Sequence, residues 1–179
     1  MMGAVHDWSH YLSEIFRVTA PGGHIQLTEM RLQFISKSGT LGDDAAVRVL
    51  ERVLPKYAAC NRYDFGAGPK LVRLAESAGF HSVDEQVVEV PCSPVSSCPI
   101  SKGMSLMVVD VKMSRVGKLM MDALTEGVAG WGRRAMIETG IIEEAADLYI
   151  ESICQELKDA RRQLFVKVYP SPLPSKLTP

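Results

Sequence analysis

His24-Ile-Gln-Leu-Thr-Glu-Met-Arg-Leu-Gln-Phe34 reads as a strand. Ile25 and Leu27 point one way and Gln26 and Thr28 the other, the period-two alternation of a strand paired with at least one partner. Pro21-Gly22-Gly23 turns the chain into it. Before that turn, Asp7 is placed to cap a helix starting at Trp8, with Trp8, Tyr11, Leu12, Ile15 and Phe16 as its apolar stripe. A helix, a turn and a strand so early in a chain ask for a larger sheet.

Onward from the strand, residues 36–44 are polar and contain glycine, so they read as a loop. A helix is expected over about 43–59, with Val47, Leu50, Val53, Leu54 and Tyr57 inward and Pro55 ending or bending it. Residues 61–68 form another loop. Pro69 suits the first turn of a third helix and Gly79 its C-terminal cap. A second strand is expected from about Glu85 to Val90, stopped by Pro91. The run Pro91–Pro99 is an irregular crossing. Met104–Met113 is apolar without a clear period, either helix or short strand. Val116, Met120, Ala123, Leu124 and Val128 recur at helical spacing, and Gly127, Gly130 and Gly132 are expected to break that helix near Trp131. A last helix spans about Ile142 to Leu157, with Ile142, Ala146, Tyr149, Ile150, Ile153 and Leu157 on its inner side. The final strand, Arg162–Tyr169, is apolar on both faces and so is expected to lie inside the sheet. The proline-rich end, 171–179, reads as a loose tail. Helices alternating with strands make the fold class α/β.

The chain has 179 residues, 46% of them apolar, enough for one domain with a real core. Its 20 basic and 21 acidic side chains leave a formal charge of -1, which offers nucleic acid nothing to hold. A small molecule of little charge, or another protein, suits this surface better. No apolar run is of membrane-spanning length, and the first residues lack the pattern of a signal peptide, so the expected place is the cytoplasm. Cys60, Cys92, Cys98 and Cys154 are not spaced as zinc ligands, and in that compartment they are expected to be reduced and structural. No metal site is expected.

Asp7-Trp8, the helix after it, and Arg17-Val-Thr-Ala-Pro-Gly-Gly-His-Ile-Gln-Leu-Thr-Glu29 resemble the second half of class I S-adenosylmethionine-dependent methyltransferases. The flavour is that of the fungal enzymes of secondary metabolism. In that family an Asp-Trp opens the helix before the fifth strand, a Pro-Gly-Gly turn enters it, and a Glu sits near its end. Leu71–Phe80 with Val83–Val90 resembles the next helix and the sixth strand. Residues 100–160 resemble the helical lid, and Phe165–Tyr169 the seventh strand. The resemblance runs from Gly3 to about Lys176. It implies a partial Rossmann-like core over 1–99, a lid over 100–160, the last core strand over 161–170 and a tail over 171–179.

The family's cofactor loop, a glycine-rich turn after its first strand, and its ribose-binding acid have no counterpart here. Gly66-Ala67-Gly68 follows a polar loop rather than a buried strand and reads as a turn. The resemblance therefore implies a truncated fold with no cofactor site and a mixed sheet of about three strands, ordered sixth, seventh, fifth. Its fifth strand would keep a free edge, and apolar faces would be bare, so a homodimer through either is expected.

Chemistry without a cofactor needs an acid, a base and a shaped apolar pocket. Isomerisation, dehydration or cyclisation of a polyketide or terpenoid fits. Glu29, expected near the end of the core strand where the family keeps a carboxylate at the crevice, is the first candidate acid or base. His6 and His10, four residues apart around Asp7 and Trp8, are the other proton carriers. Trp8, Tyr11, Tyr63, Asp64 and Trp131 are the candidate substrate contacts. Two other readings stand beside this one. The chain is a non-catalytic partner of another protein, or it is a methyltransferase subunit completed by another chain.

Overall fold

In the computed structural model, residues 5–81, 83, 86–94 and 106–171 are described, the side chains of 106–111 and 171 excepted. Helix α1 is Trp8–Val18, strand β1 Leu27–Ser36, α2 Val47–Asn61, α3 Leu71–Ser77 and β2 Val88–Pro91. They are followed by α4, Leu106–Gly127, α5, Arg133–Glu138, α6, Glu143–Lys158, and β3, Leu164–Ser171. The three strands make one antiparallel sheet in the order β1-β3-β2. The order is the expected one, with the last strand in the middle. The sheet is antiparallel rather than mixed: β3 runs against both of its neighbours, the direction expected of the last strand.

Local chemistry accounts for the element ends. Asp7 accepts the N–H of His10 at 2.9 Å and so caps α1. Pro69 sits in a short 3-10 turn, Gly68–Lys70, that leads into α3. Gly79, at φ 103°, lets the chain leave α3 in a conformation other residues resist. The carboxylate of Glu156 accepts the N–H groups of Ala46 and Val47 at 3.1 and 2.9 Å, which settles two of the free donors at the start of α2.

Contacts divide the chain into two units. One comprises Met1–Arg31, Ala58–Val88 and Lys167–Pro179. Its core is Trp8 and Leu12 of α1, Leu27 of β1, Leu71 and Ala75 of α3, Phe80 and Tyr169. Phe16 and Phe80 meet edge to face at 5.1 Å. A methyl group on Gly68 would lie 2.7 Å from Cδ2 of the buried Tyr169 ring. That close approach is why glycine stands there, consistent with a packing turn. The other unit comprises Leu32–Tyr57 and Glu89–Val166. In it α6 packs on α4 and α5 around Leu124, Met136, Ala146, Ile153 and Leu157.

Several expectations are corrected. The glycines do not end the helix near Trp131. α4 runs to Gly127, one turn of π-helix covers Val128–Gly132, and α5 continues directly. Packing of Val128, Gly132 and Met136, all buried, outweighs the helix penalty of glycine, about 1 kcal/mol each. Pro55 does not stop α2, which carries on to Asn61. Ile142 and Tyr149 are not inner residues of α6. Ile142 is its N-cap and is 68% exposed, and Tyr149 is exposed too. The start of β3 is two residues later than expected, because Ala160–Arg162 forms a 3-10 turn and Gln163 takes φ 44°. Helix begins at Leu106 in the ambiguous apolar stretch. Cys98, most of the Pro91–Pro99 crossing, Met104 and the tail beyond Ser171 lie outside the described residues.

Gly68→Ala is expected to cost about 1–3 kcal/mol in urea unfolding, and Tyr169→Leu in the same chain to recover part of it. Glu156→Ala should cost about 1–2 kcal/mol through the start of α2, and Glu156→Gln, which keeps an acceptor, less.

Candidate functional site

α1 and the start of β1 enclose a cleft of about 560 Å³, lined by Trp8, Tyr11 and Ile15 from the helix and by residues 25–29. The turn between them fixes the arrangement. Gly22 has φ 73°, and Gly23 N donates to Ala20 O at 2.8 Å. A methyl on Gly23 would sit 2.8 Å from that same carbonyl oxygen. Trp8 and Tyr11 meet edge to face at 5.8 Å and form an aromatic wall. Ile15 and Ile25 extend the apolar lining.

Burial along β1 alternates, with Leu27 and Glu29 inside and Thr28 outside. The phase then changes, and Leu32 and Phe34 are the next buried pair. Glu29 therefore occupies a position that the pattern reserves for an apolar residue. It is 3% exposed, and burial pushes its carboxyl pKa up. It is the third residue of β1 rather than near its end, so it faces α1 of its own unit. A carboxyl held toward its neutral form beside an apolar cleft can give a proton and take one back. The indole Nε1 of Trp8 is buried and has no hydrogen-bond partner among the described residues.

The other candidates sit elsewhere. Because Asp7 caps α1, His6 precedes the helix, so His6 and His10 do not share a helix face. The His6 ring is exposed and stacks on Tyr63 at 4.4 Å and 26°. His10 is exposed on α1. Tyr63 also leans on Phe65 at 5.9 Å. Asp64 closes its loop, accepting the N–H of Gly66 at 2.9 Å and pairing with Lys70 at 2.8 Å. Trp131 belongs to the second unit, where it lies over Gly127; a methyl there would be 2.6 Å from its Nε1. Of the residues singled out in the sequence, the structure thus joins Trp8, Tyr11 and Glu29, and separately His6 and Tyr63. Ile15, Gln26 and Thr28 also line the cleft and were not singled out. The signal for the face was available in Ile25-x-Leu27-x-Glu29, an acid in the apolar phase of a strand.

Among the described residues no group of His, Cys, Asp or Glu is arranged to hold a metal ion. No helix among them is long and apolar enough to cross a membrane. Burial pushes the Cys92 thiol up to about 12, which suits an inert core cysteine.

Stability should report Glu29 directly. Its folded pKa lies above the unfolded value, so the folded state holds the extra proton, and stability falls as pH rises from the ordinary carboxylate range through the folded pKa. Glu29→Gln removes that loss. In urea titrations across pH, the variant is expected to gain on the parent toward neutral pH and to lose the advantage in acid. A difference that is flat in pH would refute this.

No family model matches the chain. A methyltransferase, cpsF, of the fungus Aspergillus campestris is 24% identical over 93 residues, 52% of this chain and 33% of that protein. Among solved structures, phosphoethanolamine N-methyltransferase 2 of Haemonchus contortus, with phosphomonomethylethanolamine and S-adenosylhomocysteine, aligns over 96% of this chain and 30% of its own. That alignment has 14% identity and a TM-score of 0.35, too low to define a fold. The matched parts span about a third of either protein. Over half its length, the chain is methyltransferase-like in sequence.

Proposed function

We propose that the cleft between α1 and β1 takes a small, mostly apolar molecule, and that Glu29 is the acid and base of a reaction needing no S-adenosylmethionine. The reaction class is isomerisation, dehydration or cyclisation of a polyketide-like or terpenoid-like compound. The observation that carries this reading is the burial of Glu29 at the floor of an aromatic and aliphatic cleft. In an isomerisation, the carboxylate removes a proton from one carbon, the double bond shifts, and the resulting carboxyl returns the proton to another carbon. Nothing is consumed, and raised basicity helps the first step. Trp8 and Tyr11 supply flat apolar area against which such a substrate is held.

A second reading is favoured by the similarity to cpsF: the chain contributes the acceptor side of an S-adenosylmethionine-dependent methyl transfer on a Rossmann-like scaffold.

Two measurements separate these. Calorimetric titration with S-adenosylmethionine is expected to give no binding heat; a saturable heat would replace the first reading by the second. Turnover of a panel of unsaturated ketones and polyenols, followed as products of unchanged mass or of mass less one water, is expected to drop at least a hundredfold in Glu29→Gln, with substrate quenching of tryptophan fluorescence retained. Undiminished turnover in the variant would remove Glu29 from the chemistry.

A further inference from the structure

Among the described residues β1 lies at one edge of the sheet, with a strand on one side only. Successive residues of a strand turn their peptide groups to opposite sides. Lys37, one residue past β1, gives its N–H to Gln163 O at 3.1 Å, toward the β3 side. Phe34, three residues earlier, therefore turns its N–H and C=O outward.

Both groups are engaged by α2. Phe34 N donates to Glu51 Oε1 at 2.6 Å, and Arg48 Nη1 donates to Phe34 O at 3.2 Å. Arg48 and Glu51 are one helical turn apart and hold each other, with Nη1 at 2.8 Å from Oε1 and 2.7 Å from Oε2. Their side chains are mostly shielded, at 24% and 18% exposure. The pair thus offers one donor and one acceptor, at strand spacing, to the outer side of a single residue. Hydrogen bonds of this kind, with an ionised partner, are stronger than the neutral ones of a sheet ladder.

An uncovered edge is a template for another chain. A strand adding here would have to break both charge-assisted contacts to Phe34 and push the Arg48–Glu51 pair aside. We propose that Arg48 and Glu51 form a clamp that closes the outer edge of β1 to strand addition, so that a second copy of this chain does not join through β1. Of the two dimer routes expected from the sequence, edge pairing is the one this removes.

Amide hydrogen exchange on the full chain tests it. The Phe34 amide is expected to be protected to the same degree in dilute and concentrated protein. In Glu51→Ala it should exchange at least about tenfold faster, while Glu51→Gln, which keeps a carbonyl acceptor, retains most of the protection. The double variant Arg48→Ala, Glu51→Ala should gain mass with concentration in sedimentation. Loss of Phe34 protection on dilution of the parent protein would mean that another copy supplies the bond, and would overturn the proposal. So would unchanged exchange in folded Glu51→Ala, or a double variant that never associates. Should Glu51→Ala fail to fold, the dilution series and Glu51→Gln still decide.

Discussion

A three-stranded sheet has one interior strand, and every ladder bond depends on it. Here that strand is β3, which follows both of its neighbours in sequence. The carbonyls of Gln163 and Leu164, adjacent residues, point to opposite sides; Lys37 N bonds the first at 3.1 Å and Cys92 N the second at 2.8 Å. The hydroxyl of Ser36 also reaches Arg162 O, 126 residues away in sequence. Closing such a span is entropically costly before any ladder bond forms, so the sheet is expected to form late. The helices can form earlier. α1 carries its own side-chain cap in Asp7, and α6 has acidic residues in its first turn and Lys158 in its last; each needs only a surface to bury its apolar face.

With β3 inside, both other strands are edges, and they are finished differently. β2 is four residues long and stops at Pro91, which has no N–H to offer a further strand. β1 is ten residues long and cannot rely on shortness. Its outer peptide groups are met by charged side chains at Phe34, and its phase slips between Glu29 and Leu32, which itself interrupts a regular edge. The slip also separates two tasks along one strand. Before it, Leu27 and Glu29 face the cleft and the core beneath α1. After it, Leu32 and Phe34 belong to the second unit.

What the sequence displayed was the part governed by local rules. Asp7 before an apolar stripe, Pro69 before α3 and Gly79 after it, and the doubly apolar Leu164–Val166 run each have one physical interpretation, and the structure follows it. Where local rules failed, tertiary packing had overridden them. Three glycines and a tryptophan ought to break a helix, but Gly127 is small because the Trp131 indole lies over it, and the chain absorbs the crowding as one π turn. Ile142 and Tyr149 fit the apolar period of α6, yet burial depends on what lies opposite, which periodicity cannot report. Arg48 and Glu51 have the i, i+3 spacing of an ordinary helical ion pair. Their partner, the Phe34 peptide, is 17 residues from Glu51 and invisible to any helical pattern.

Glu29 is the one carboxyl among the described residues that burial pushes toward its neutral form. A carboxyl in the apolar phase of a strand costs folding free energy as soon as it ionises, and a structural role would be filled better by Leu or Val. The chain keeps the acid where its walls are aromatic and aliphatic, and the same desolvation that weakens the fold at neutral pH strengthens the group as a base. His6 and His10 are both exposed and do not line the cleft. On the proposed reading the carboxyl in the apolar cleft serves the reaction, because there the cost of charge is already built into the fold.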